Sequence, residues 1–153
     1  LQTKLAAKMA KTLLDLASEL EAKSKVVEKA ASEHAAKVAI AIVSDLAHVT
    51  PVDTSRAQSN WIVSLGIPSW IDVDPHFPGF RGWEAARNAA ETIRLAKAIL
   101  ERKQPGEPIY ITNNVPYIRD LNSGSSKQEP AGFVERAVLV GRRLADEFSI
   151  REK

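Results

Sequence analysis

The sequence predicts an α+β fold: a long N-terminal helix, a small, mainly antiparallel sheet, and two further helices packed on it. Three observations carry this. The first 49 residues contain neither glycine nor proline and are dominated by Ala, Lys, Glu and Leu, which summed over the window is a strong helical signal. Short stretches around Trp61 and Ile109 alternate apolar with polar side chains, as strands do. The order helix, two strands, helix, strand, helix has no repeated strand–helix–strand crossover, which argues against a doubly wound sheet.

The apolar positions of the first helix are Leu5, Met9, Leu13, Leu16, Leu20, then polar Ser24, then Val27, Ala31, Ala35, Val38, Ile42, Leu46 and Val49. This eleven-residue period, about 3.67 residues per turn, keeps the stripe on one face of a nearly straight helix. Such a helix is roughly 70 Å long at 1.5 Å per residue. A compact domain of this length has a radius of gyration of only about 15 Å. The stripe therefore cannot all lie on its own core. Either the helix bends near Lys23, Ser24 and Lys25, or its first half projects and buries Leu5, Met9, Leu13, Leu16 and Leu20 against another chain. A frayed arm is the bland alternative. Self-association is favoured, because an apolar stripe left in water is unusual in a monomer.

Pro51 ends the helix, since the residue before a proline is pushed out of helical geometry. A strand follows over Asn60–Leu65, closed by Gly66, and Trp70–Asp74 is expected to be its antiparallel partner. The segment from Asp74 to Gly82 is rich in proline, glycine and aromatics and reads as an irregular loop. Glu84–Lys103 is a second long helix, with Ala86, Ala89, Ala90, Ile93, Ala96, Ile99 and Leu100 inward. Pro108–Asn113 is another strand, Tyr117–Leu121 a short helical turn, and Ala131–Phe148 a last helix with Val134, Ala137, Val138, Gly141, Leu144, Ala145 and Phe148 inward.

The chain has 153 residues, 44% of them hydrophobic and 26% charged. One domain is expected, with residues 1–49 as the helix and 50–153 as the α+β body. The absence of cysteine excludes disulfides, thiolate metal sites and cysteine nucleophiles. A balance of 21 basic against 19 acidic residues falls short of the positive field of a typical nucleic-acid binder. No stretch is apolar enough to span a bilayer. The basic, alanine-rich start lacks the apolar centre of a signal peptide, so secretion is not expected.

Chemistry-bearing patterns are sparse. His34 and His48 read as solvated residues of the long helix. Asp72, Asp74 and His76 alternate and would share one side of an extended chain, but Pro75 interrupts that run, so no metal site is predicted. Ser55, Ser59, Ser64 and Ser69 lie in no nucleophile elbow, and Gly124 with its serines lacks the lysine of a phosphate loop. The expectation is that the protein is not an enzyme and takes no cofactor. The arginines at 81, 87, 94, 102, 119, 136, 142 and 143 could line one surface, which keeps a nucleic-acid-binding module as the alternative. Glu84 and Glu91 stand in the same turns as Arg87 and Arg94, so neutralised pairs compete with that reading.

Two segments together resemble a known family. Thr50-Pro51-Val52-Asp53-Thr54-Ser55-Arg56, leading through Ser59 and Asn60 to Trp61, is similar to the "TPVDTG-R, then S-x-W" signature of the neck or tail-completion proteins of long-tailed bacteriophages. Ile109-Tyr110-Ile111-Thr112-Asn113-Asn114-Val115-Pro116-Tyr117, then Leu121 to Ser126, Gln128, Pro130 and Ala131-Gly132-Phe133-Val134, is similar to that family's second block. Order and spacing agree over about residues 35 to 140. Ser55 departs from the pattern, because the family commonly has glycine there; a positive φ at this position would carry strain.

The resemblance implies a non-enzymatic virion protein of the neck or tail, assembled in the host cytoplasm. It implies a ring of identical subunits, sixfold, that completes the head–tail junction. Its partners would be the tail tube, a tail terminator or a head connector, with genomic DNA close by in the lumen and no membrane. In this light Pro51, Asp53 and Thr54 shape the turn after the helix, and Trp61 feeds the core. Pro116 and Gly124 shape the second loop system, Phe133 and Val134 anchor the last helix, and Tyr110, Asn113, Tyr117 and Gly132 are further motif residues with a structural role. For Arg56 an interfacial ion pair and a packing role are both open. Phe77, Phe80 and Trp83 are expected to meet a neighbouring ring or subunit, or else to cover the open side of the sheet.

Overall fold

The computed structural model describes residues 1–148. The body as read from the sequence runs to residue 153, and 149–153 lie outside the described residues. Helix α1 spans Gln2–Val49 as 48 continuous residues, with no break at Lys23 to Lys25. It is followed by α2 (Arg56–Ser59), β1 (Ile62–Leu65), α3 (Ala85–Leu100), β2 (Ile109–Thr112), α4 (Ile118–Asn122) and α5 (Phe133–Asp146). The fold is α+β, with a long helix, a two-stranded antiparallel sheet and further helices.

Strand β1 pairs with β2 in the register Ile62↔Thr112 to Leu65↔Ile109. The expected partner, Trp70–Asp74, is not a strand. Its backbone groups are taken by side-chain amides. Asn60 accepts from Val73 N–H at 2.8 Å and donates to Val73 C=O at 2.7 Å. Asn114 Nδ2 donates to Ser69 C=O at 2.9 Å. A polar group satisfied in this way has no need of a ladder.

The core is built on the C-terminal half of α1, which acts as its spine. Ala39 and Val43 pack with Val63, Ala96 and Leu100, so that α1, β1 and α3 share one cluster. Leu46 packs with Trp61, Phe133 and Ala137, which joins α5 to the same helix. The crossing of α5 on α1 is close: a Cβ on Gly141 would stand 2.5 Å from Ile42 Cγ1.

Two inner faces differ from the periodicity. On α3, Ala86 and Ala90 are exposed, and the buried side includes Asn88 and Thr92. On α5, Val138 and Ala145 are exposed while Phe133 is fully buried. The packing stripe of α3 is turned toward α1 and the α2 segment, and that of α5 toward α1. His34 is not simply solvated either: its Nε2 lies 2.9 Å from Leu144 C=O and its ring stacks on Phe148 at 4.8 Å. His48 is exposed, with Nδ1 2.6 Å from Ser44 C=O.

Candidate functional site

The two motif blocks, one ending at Trp61 and the other beginning at Ile109, meet around the end of α1. Thr50 caps that helix. Its hydroxyl donates to Leu46 C=O at 2.6 Å and accepts from Trp61 Nε1 at 2.8 Å, which fixes the indole in the core. Pro51 is buried behind it. Gln128 then clasps the backbone of Val52 from the second block, accepting from its N–H at 2.8 Å and donating to its C=O at 2.9 Å. This mimics a strand pairing with a single side chain.

Asp53 holds the irregular loop. Its carboxylate accepts from Arg81 N–H at 2.8 Å and its C=O from Gly82 N–H at 2.9 Å. Arg81 and Gly82 both have positive φ, 55° and 73°, so this corner is tightly curled. Thr54 Oγ1 is 3.4 Å from Arg56 N–H at the start of α2. Ser55 adopts φ 70°, ψ 10°, the left-handed conformation that glycine adopts without cost. It is also 2% exposed, and its hydroxyl has no hydrogen-bond partner among the described residues. Arg56 pairs with Asp72 of its own chain, Nε to Oδ1 at 3.3 Å and Nη2 to Oδ2. That hydrogen bond, with the charge of Asp72 behind it, raises the guanidinium pKa. The pair is therefore intramolecular, and Asp72 is committed to it rather than to an Asp72–Asp74–His76 group. Among the described residues no three His, Asp or Glu side chains gather as a metal site.

A cavity of about 300 Å³ lies between the blocks, lined by residues from Pro51 to Ala57 on one side and Tyr117, Leu121, Ser126 and Gln128 on the other. In the second block, Asn113 Nδ2 donates to Ala57 C=O at 2.8 Å. Gly124 and Gly132 have φ 94° and 84°, and Gly132 precedes α5. Asn122 closes this turn by accepting from Val134 N–H at 2.9 Å. Its amide donates to Glu135, which holds that carboxyl below its ordinary pKa. Phe133 fills the core, Pro116 is exposed and Tyr110 lies on the outer side of β2.

Sequence reasoning missed a buried polar web on α2 and α3. Asn88 accepts from Phe77 N–H at 2.9 Å and from Ser59 Oγ at 3.0 Å, and donates to Phe77 C=O at 2.8 Å. Gln58 Nε2 donates to Ala47 C=O at 2.7 Å and Ala85 C=O at 2.9 Å. The only available signal was a polar pair, Asn88 and Thr92, one turn apart inside an alanine-rich helix.

Outside this knot the molecule leaves large apolar side chains in water. Residues 1–29 are all exposed, and Leu5, Met9, Leu13, Leu16 and Leu20 retain 50–64% of their surface. Phe80 and Trp83 meet as a tilted pair, ring centres 4.5 Å apart, while staying 53% and 71% exposed. Phe77 is different: it is half-buried beneath the Arg87 guanidinium, 3.9 Å from its ring centre. Ile67, Trp70 and Ile71 are further exposed apolar residues, the last two hidden from sequence reasoning by the strand expected over Trp70–Asp74. Several arginines are paired: Arg87 with Glu84 at 3.2 Å, Arg94 with Glu91 at 2.6 Å and Arg136 with Glu129 at 2.6 Å. Among the described residues no helix is long and apolar enough to cross a membrane. Compared with family models, curated proteins and solved structures, the chain matches none.

Proposed function

We propose that this chain is a structural subunit of a bacteriophage head–tail junction, a neck or tail-completion protein that acts as a ring of identical copies and stays in the virion. One observation carries the reading: a single subunit bears well-separated uncovered apolar surfaces, the α1 stripe and the Phe80–Trp83 pair. A ring needs heterologous contacts, in which one patch of a subunit meets a different patch of the next. The resemblance of the two motif blocks supplies the family. Their role here is architectural, since Thr50, Asp53, Trp61, Asn113 and Gln128 tie loops to helices and none of them pairs with a nucleophile. A tail tube, tail terminator or head connector is the partner this role requires.

Mass photometry of the protein alone and with isolated tails or heads tests the reading. A closed ring bound to one of these particles is the expected outcome. A chain that associates with no virion component sinks it. Binding to duplex DNA with an affinity that falls steeply with salt would favour the arginine-based alternative, because phosphate contacts release counterions.

A further inference from the structure

We propose that two copies of this chain pair through residues 1–20 of α1 as antiparallel helices. Residues 1–29 make no contribution to the buried core. A helix without tertiary packing is marginal in water, so an arm of this length needs a partner, and its own edges identify one.

At 100° per residue, Leu5, Met9, Leu13, Leu16 and Leu20 fall within an arc of about 80°. Beyond the Leu5 edge of that stripe, at about 40°, 60°, 80° and 100° from Leu5, stand Glu19, Lys8, Asp15 and Lys4, with the long lysine and glutamate side chains able to reach back toward the seam. The opposite edge carries Ala6, Ala10 and Ala17. Two lysines thus precede two carboxylates on a single edge. In an antiparallel pair like edges face each other, so Lys4 meets Glu19 of the second copy and Lys8 meets its Asp15. In the same register Leu5 lies opposite Leu16, Met9 opposite Leu13, and the two Ala10 residues face each other, allowing close approach of the backbones. A parallel pair would set the charged edge against the alanines and form none of these ion pairs. The four charges are available for this. The intrahelical pairs of the arm use other residues, Glu21 with Lys25 and Glu33 with Lys29. The bodies do not collide, because residue 30 of each copy falls about 15 Å beyond the first residue of the other.

The pair is isologous and stops at two. It rests on the arm alone and stands whether or not the head–tail reading does. If both hold, the stripe has successive partners, the second arm in unassembled protein and a neighbouring subunit in the ring.

Sedimentation equilibrium of the full chain should give a dimer. Doubly reversed Lys4→Glu/Lys8→Glu should weaken it about tenfold, as four cross-chain ion pairs become repulsive. The same holds for Asp15→Lys/Glu19→Lys, and mixing the two variants should restore a mixed dimer. Because the chain has no cysteine, disulfide formation reports the register. Ala10→Cys should cross-link to itself, and Leu16→Cys should link to Leu5→Cys but not to itself. Leu16→Cys linking to itself means a parallel pair and overturns the proposal. So does a chain that stays monomeric, or a dimer indifferent to both charge reversals. None of these substitutions touches the core, so every variant should keep the fluorescence signature of the buried Trp61 whatever happens to the arm.

Discussion

The two halves of α1 carry the same apolar repeat and meet opposite fates. From Val38 to Leu46 the stripe is covered by α3, β1 and α5, and Val43 and Leu46 are all but sealed from water. From Leu5 to Leu20 the same kind of stripe lies open. Periodicity sets which face of a helix is apolar; it says nothing about what covers that face. Coverage is decided by distant sequence, here Ala96 and Leu100 on α3 and Phe133 and Ala137 on α5.

The contrast is broken most sharply by a pair of truncations. Phe133→Ala empties a fully buried site and should cost about 3–5 kcal/mol of unfolding free energy. Leu13→Ala, in the open half, should change the unfolding of dilute protein by less than about 0.5 kcal/mol. Urea denaturation of both variants measures the gap. Similar losses at the two sites would mean that the arm is part of the folding unit. A polar counterpart follows. Asn88→Ala removes the clasp on Phe77 and leaves the Ser59 hydroxyl without its acceptor, so it should cost about 2–3 kcal/mol. Thr12, whose hydroxyl bonds only its own helix at Lys8 C=O, should accept alanine with little change.

The helices and the strand around Ile109 were legible because long amphipathic runs and Pro/Gly punctuation are local signals. The Trp70–Asp74 segment was not. Its alternation suits a strand, but Asn60 and Asn114, distant in sequence, satisfy its backbone instead. The inner face of α3 was misread by a fraction of a turn for a related reason: a buried Asn88 counts as polar in a periodicity and as core in the structure. Of the candidate site, the motif turns were readable from Pro51 and Gly124, whereas the clasp of Gln128 on Val52 and the Arg56–Asp72 pair depend on contacts that no spacing announces.

Ser55 sharpens the comparison from the body's side, because there a well-covered segment holds a local conflict. A left-handed residue with a Cβ costs about 1–2 kcal/mol, and its buried hydroxyl has no partner among the described residues. Against this, glycine gives the unfolded chain more freedom, worth about 0.5–1 kcal/mol. Ser55→Gly should therefore stabilise the fold by about 1 kcal/mol. A thermal melt reads it directly. A lower melting temperature would show that the hydroxyl is satisfied from outside the chain.

The smallest effect expected is a pH dependence confined to the body. His76 sits in a groove with Trp61, Val63, Val73 and Leu95. Its backbone N–H donates to Ser59, while its Nε2 is buried without a partner among the described residues. Burial lowers its pKa below the usual 6.5; Glu91 works against that and Arg94 with it. The folded protein thus binds fewer protons than the unfolded chain just below pH 6.5, so stability is complete above that value and declines as the pH falls toward the folded pKa. Denaturation midpoints for the native protein should drop as the pH falls below about 6.5, and His76→Gln should flatten that slope. An unchanged slope would assign the loss to other groups. The arm histidine-free as far as Glu33 cannot contribute, so the variant isolates a property of the covered half alone.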